Sequence, residues 1–262
     1  MWRHLKIIGF LLRTSIAVQA QYRVDFLIQF ALSFFWVFWN VAPLLLIYEL
    51  KPTIAGWSRA EALLVIAAFL ILKSLLEGLV MPNLNALVQH IRTGTFDFIL
   101  LKPADAQVLV SASKVVPTNL VGFSAGIGLA TWASVQLDPG PSPAALFLGV
   151  VMLMAGATII YALWIAIICT AFWFVKIDNL SFLFSSIFDA ARYPIGIFRG
   201  WIRAFLTFVI PLAVMTSYPA MAVLGKLEPG PTVAALSTAV LLLLFSRLLW
   251  RWAVGHYASA SS

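Results

Sequence analysis

Lys73 and Glu77 are the ionisable residues of this chain with the most demanding surroundings: both lie inside a long apolar run. Spaced at i and i+4, they share one face of a helix. Three readings fit that spacing. The pair neutralises itself in a low-dielectric setting, it relays a proton or ion, or it touches a neighbouring subunit. Asp189 and Arg192, at i and i+3, are expected to pair near a membrane interface. Asp25 beside Arg23 is expected to cap or snorkel at the start of the first apolar run. Other chemistry finds little footing. His4, His90 and His256 are scattered and Cys169 is the single cysteine, so no zinc spacing exists. Cys169 sits in an apolar run and reads as packing. The only Gly-Lys pair, Gly225-Lys226, lacks a glycine five residues earlier, which excludes a phosphate loop. No paired-carboxylate site stands out. The chain carries no visible engine. It is driven by a partner, driven by an ion gradient, or moves no solute.

The elements that position these residues follow from composition. Of 262 residues, 62% are hydrophobic and 10% charged, against about 25% charged in soluble domains. That much apolar surface needs lipid as solvent. The expectation is an all-α polytopic membrane protein with one domain over 1–262. The net charge of +7 then reflects Lys and Arg beside anionic lipid rather than nucleic acid. Six spans are expected, at 24–48, 61–81, 107–135, 144–175, 177–193 and 231–252. Residues 1–23 read as an N-terminal interfacial helix, with Leu5, Ile8, Leu12 and Ile16 on one face and no signal-peptide cleavage site. With the N-terminus inside, ten lysines and arginines fall on the inner side and six on the outer. Residues 177–225 allow two paths: a span at 204–225, or a short span at 177–193 followed by an outer re-entrant hairpin over 194–225 broken by Pro194, Pro211 and Pro219. Gly122 and Gly126 form a small-xxx-small face suited to close helix packing.

The connector over 82–106 is too long and too patterned to be a mere link. Leu84, Leu87, Val88 and Ile91 share one helical face, while Asn85, Gln89 and Arg92 lie off it. Asn83 is expected to cap this helix and Gly94 to end it. An apolar-anchored, polar-tipped helix of this kind suits a lever worked from the cytosol.

The run Arg92-Thr93-Gly94-Thr95-Phe96-Asp97-Phe98-Ile99-Leu100-Leu101-Lys102-Pro103 resembles the segment after the second span of ABC-2-type export permeases, as do Arg192-Tyr193-Pro194, Ile210-Pro211 and Ser217-Tyr218-Pro219. The resemblance covers nearly the whole chain. It implies a permease of an ATP-driven exporter that binds no cofactor itself. ATP and Mg would sit in two copies of an ATP-binding subunit, and a second permease, identical or similar, would complete the path in the membrane lipid. It places a cytosolic coupling helix in 82–103, with Gln89, His90, Arg92, Thr93, Gly94, Thr95, Phe96, Asp97 and Lys102 contacting the ATP-binding subunit. Lys176, Asp178 and Asn179 would form a second contact. It favours the re-entrant path for 194–225 and makes 1–23 the interfacial elbow. The setting would be a bacterial inner membrane, with both termini cytoplasmic. An ion-gradient carrier using Lys73 and Glu77, or a non-transporting scaffold, are the competing readings.

Overall fold

The structure is a computed structural model that describes Thr14 and residues 23–111, 113–174 and 178–257. The expected elbow over 1–23 and the contact residue Lys176 lie outside the described residues, apart from Thr14 and Arg23.

Helix α1 (Arg23–Leu50) buries little beyond Asn40, Leu44 and Tyr48, and its aromatic run at Phe34–Trp39 faces outward. A two-residue hairpin follows, β1 (Thr53–Ile54) paired antiparallel with β2 (Trp57–Ser58). Its turn places Ala55 and Gly56 at φ +52° and +82°, the pair of positive angles a type I′ turn requires. Helix α2 (Arg59–Leu75) then opens on a capping box, the Ser58 hydroxyl accepting from the Glu61 N–H while Glu61 accepts from the Ser58 N–H. α2 is the centre of the molecule: residues 62–72 are buried without interruption.

The second helix does not stop at Met81, where hydropathy ends it. A π turn at Leu76–Val80 carries it into α3 (Met81–Arg92), giving one 34-residue unit from Arg59 to Arg92. Pro82 explains the π turn. It offers no N–H to Gly78, four residues back. The Gly78 carbonyl instead accepts the Val116 N–H at 2.9 Å. Asn83 does not cap a helix; its side chain donates to the Leu79 and Lys114 carbonyls and accepts the Lys114 N–H, each at 2.6 Å. Gly94, at φ +70°, ends α3 as expected.

After the short α4 (Asp97–Leu100), the stretch expected as one span over 107–135 is divided. It comprises α5 (Ala106–Ser111), a non-helical stretch over 113–116, a 3₁₀ turn at Pro117–Asn119, and α6 (Leu120–Val135) of 16 residues. Pro117 forces Val116 extended (φ −103°, ψ 98°). The Asn83 and Gly78 bonds satisfy the backbone exposed by that break. Gly122 and Gly126 pack α6 on α2 within the subunit: a Cβ at Gly126 would lie 2.7 Å from Ile71 Cγ1 and 3.0 Å from the Ala67 carbonyl.

Helix α7 (Pro143–Cys169) packs on α2, α3 and α11 (Pro229–Gly255). Between them lie α8 (Asp178–Phe188), of 11 residues, and two helical pieces, α9 (Gly200–Phe208) and the Ala213–Val223 segment, bent by 72°. The second piece begins as a π turn, Ala213–Ser217, and ends as α10 (Tyr218–Val223). The π turn is wholly buried, with its Met215 backbone against Gly156. Among the described residues, four helices are long and apolar enough to cross a membrane, and the bent pair makes a fifth if it is one span.

Candidate functional site

Three regions gather the polar chemistry. The first is at the waist of the α2–α3 unit. Lys73 Nζ lies 3.6 Å from Glu77 Oε1, as the spacing predicted, but a closer partner comes from far along the chain: Asp189 Oδ1 at 2.6 Å. Asp189 also pairs with Arg192, Oδ2 to Nη2 at 3.8 Å, and its carbonyl accepts from Arg192 Nε at 2.8 Å. Arg192 stacks over the Phe69 ring, 5.6 Å from its centre. The pairing of Asp189 with Arg192 was legible; its link to Lys73 was not, because 116 residues separate them. Lys73, Glu77 and Asp189 line a cavity of about 310 Å³, together with Ser33 and Asn40 of α1 and Asn119.

The second region is the tip of α3. His90 Nδ1 and the Thr95 hydroxyl lie 2.8 Å apart, the Thr93 hydroxyl donates to the Gln89 carbonyl at 2.8 Å, and Thr93 and Thr95 meet at 2.9 Å. The Phe96 N–H reaches back to the His90 carbonyl at 3.1 Å, closing the turn through Gly94. Arg92 and Lys102 are exposed and Asp97 half-buried. Phe96, expected among the contact residues, is 0% exposed. Its ring meets Tyr257, Phe172 and Trp250 edge-on, with centroids at 5.2, 5.8 and 6.2 Å. It fastens the tip to the ends of α7 and α11, while Phe98 (68% exposed) and Leu101 (80%) present the outward apolar surface. Asp178 and Asn179 open α8; the structure describes their backbone only.

A third polar cluster went unread in the sequence. Arg247 grips both oxygens of Asp105, and its Nη1 donates to Gln107 Oε1 at 2.6 Å. Gln107 donates to the Tyr161 hydroxyl at 3.2 Å, and Ser111 meets the same hydroxyl at 2.8 Å. The Arg247 guanidinium holds the Asp105 carboxyl below the ordinary carboxylate range. Arg247, one of two cations with Arg251 within the last apolar run, was the available signal, since such residues need a partner.

A model of the family described as ABC-2 family transporter protein matches residues 34–261, nearly the full chain. The chain belongs to the ABC-2 transporter family. No curated protein and no solved structure matches it. The permease is therefore an integral membrane component of a transporter, of a family that works with ABC ATP-binding subunits. Two of its polar regions lie on one helical unit, Lys73 and Glu77 at the waist and the Gly94 turn just past its end.

Proposed function

We propose that this permease is the membrane subunit of an ATP-driven exporter. Two copies of an ATP-binding subunit, which hold the ATP and Mg, dock on the α3–α4 tip. Gln89, His90, Arg92, Thr93, Thr95, Asp97 and Lys102 form the polar contact, with Asp178 and Asn179 adding a smaller one. The exposed aromatic face of α1 meets a second permease, and α1, α2 and α8 line the path between them. The bent 200–223 segment is the outer re-entrant hairpin, α6 and α8 complete six crossings, and both termini face the cytoplasm of a bacterial cell.

One observation carries this reading. At about 1.5 Å per residue the Arg59–Arg92 unit is about 51 Å long, and a hydrocarbon core is about 30 Å thick. With Arg59 at one interface, about 20 Å of helix stands clear of the other, ending in the Gly94 turn. A protruding, stiff, packed helix transmits force; a solvated loop does not. The buried Leu212–Ser217 turn supports the re-entrant path, since irregular backbone at membrane depth needs protein around it.

Asp97→Arg is expected to insert and fold normally, to retain the ATP-binding subunits weakly or not at all, and to lower transport per ATP hydrolysed at least tenfold in proteoliposomes. Phe98→Asp, at an exposed site, should act in the same direction. If assembly and coupling are intact in both variants, the tip is not the docking site. Transport that persists without ATPase and collapses with the proton gradient would favour the ion-driven carrier instead.

A further inference from the structure

The charged cavity is one part of a longer groove. Val37 and Leu70 line it and also line an apolar pocket of about 280 Å³ walled by Val41, Ala125, Leu129 and Trp132. Glu77 lines it and also a third pocket of about 590 Å³ running along α3 to Gln89 and Lys114. The three pockets follow one face of the long helix, between α1, α6 and α8. Their chemistry is graded: polar side chains (Gln89, Asn85, Glu77, Lys73) interleave with apolar ones from Gln89 to Lys73, and the lining from Leu70 toward Trp132 is apolar throughout.

Depth gives that gradient a meaning. At about 1.5 Å per residue, Lys73 lies about 21 Å along the helix from Arg59 and Glu77 about 27 Å. In a core about 30 Å thick, both fall in the leaflet nearer Arg92. The apolar pocket lies on the Arg59 side of them. A groove with its polar part near one interface and its apolar part toward the bilayer centre copies the profile of a lipid monolayer.

Within the charged cavity the more exposed charges are negative, and the groove's other cation, Lys114, lies in the third pocket at the Gln89 end. The cavity wall carries Lys73 against Glu77 and Asp189. The side chains of the two carboxylates are 44% and 37% exposed, against 25% for Lys73 and 23% for Arg192. The cations lie behind and the anions in front. Ser33 and Asn119 add hydroxyl and amide groups to the same wall.

We infer that this groove binds an amphiphile with a protonated amine, its ammonium against Glu77 and Asp189 and its tail along Val37, Leu70 and Leu129. The inference rests on the permease reading and names the class of its cargo. Lys73 holds Asp189 in place at 2.6 Å, and Glu77, whose Lys73 contact is longer at 3.6 Å, is the carboxylate that meets the incoming ammonium. The amine enters laterally from the leaflet near Arg92, where its orientation already matches the groove.

The test uses the full transporter in nanodiscs, with dodecylamine as probe and dodecanol and dodecanoate as controls for partition into lipid. Dodecylamine is expected to bind saturably, roughly tenfold or more tightly than either control, the scale of one partly shielded ion pair. Glu77→Gln, nearly isosteric, should weaken dodecylamine by about tenfold and leave dodecanol unchanged. Leu129→Trp, which fills the tail groove, should weaken dodecylamine but not butylamine. Equal binding of dodecylamine and dodecanol, or an unchanged affinity in Glu77→Gln, overturns the inference, as does absence of binding because the second permease covers the groove. Failure here with Asp97→Arg still uncoupled overturns only the cargo. Loss of the coupling phenotype with amine binding intact overturns only the ATP-driven reading.

Discussion

Replacing Phe96 by alanine isolates the latch that holds the α3–α4 tip. The ring is fully buried and meets three aromatic partners edge-on, Tyr257, Phe172 and Trp250. Truncating a buried phenylalanine costs about 3–5 kcal/mol, of which each aromatic pair accounts for about 0.5–1.5 kcal/mol. Because Phe96 lies at the end of the long helix, the cost falls on local undocking of 93–102 and spares the spans. At about 1.4 kcal/mol per decade, amide exchange through local opening should accelerate roughly 10²- to 10³-fold for 96–101. Exchange in α2 should hold at its wild-type rate. Phe96→Leu, which keeps volume but loses the ring edges, should give a smaller acceleration, roughly tenfold. Hydrogen exchange with mass spectrometry on the reconstituted protein reads both. Unchanged protection at 96–101 in Phe96→Ala would refute the latch, and equal acceleration in α2 would show that the residue serves the whole fold.

Gly126→Leu should lower the unfolding midpoint in detergent, since even a Cβ would press on Ile71 and the Ala67 carbonyl, at a cost of about 1–3 kcal/mol or more; Gly128→Ala, where a Cβ meets nothing within 4 Å, should stabilise by about 0.5–1 kcal/mol. Asn83→Ala strips the Lys114 N–H and carbonyl of their partners and should cost about 1–3 kcal/mol for each group left without water, read from the same midpoint. Asp105 has a folded-state pKa below its unfolded value of about 3.9. Its tie to Arg247 is therefore fully present above about pH 4 and lost as pH falls through the depressed value; exchange protection of 105–111 should fall in that acid window, and Asp105→Asn should be low throughout with no acid step.

The apolar composition made the helical membrane class legible, and the 3.6-residue spacing of Leu84, Leu87 and Val88 identified the buried face of α3 before any coordinates. Helix ends were harder to read. Hydropathy stops at Met81, yet the helix continues, because a π turn absorbs Pro82 and Val116 takes the vacated Gly78 carbonyl. The break before Pro117 has a local signal in Ser111, Ser113, Lys114, Thr118 and Asn119, but a hydropathy window averages it away between the apolar runs on either side, and cannot see that Asn83 holds the backbone of Lys114 from thirty-one residues away. The pair Lys73–Glu77 follows from local spacing, whereas the closer Lys73–Asp189 contact depends on the 3₁₀ turn Asp189–Arg192, just after α8, packing on α2. Phe96 entered the contact set through the family resemblance; its neighbours Thr95 and Asp97 give no local sign that three rings from distant parts of the chain enclose it.

The arrangement of the two polar regions constrains how force would reach the cargo. The tip and the charged cavity belong to one helical unit, so a displacement at Arg92 moves Glu77 unless something yields between them. The π turn at Leu76–Val80, which itself contains Glu77, is where α3 would turn against α2, because its hydrogen bonding differs from that of the turns on either side. Two of its residues face in different directions: Gly78 is pinned to the Val116 backbone on α6's side, and Glu77 opens onto the groove beside Lys73. Rotation of α3 about that point would carry Glu77 away from Lys73 while Lys73 stays bonded to Asp189, altering the charge the groove presents. A ligand that binds the two geometries unequally is then coupled to docking at the tip by that difference in affinity, and by reciprocity it alters docking by the same factor. Gly78→Ala, whose Cβ would come within 3.0 Å of Asn119 Cβ, should stiffen or displace this point. The expected result is ATP hydrolysis that no longer responds to dodecylamine, with assembly on the ATP-binding subunits retained. A response identical to wild type would place the moving element elsewhere.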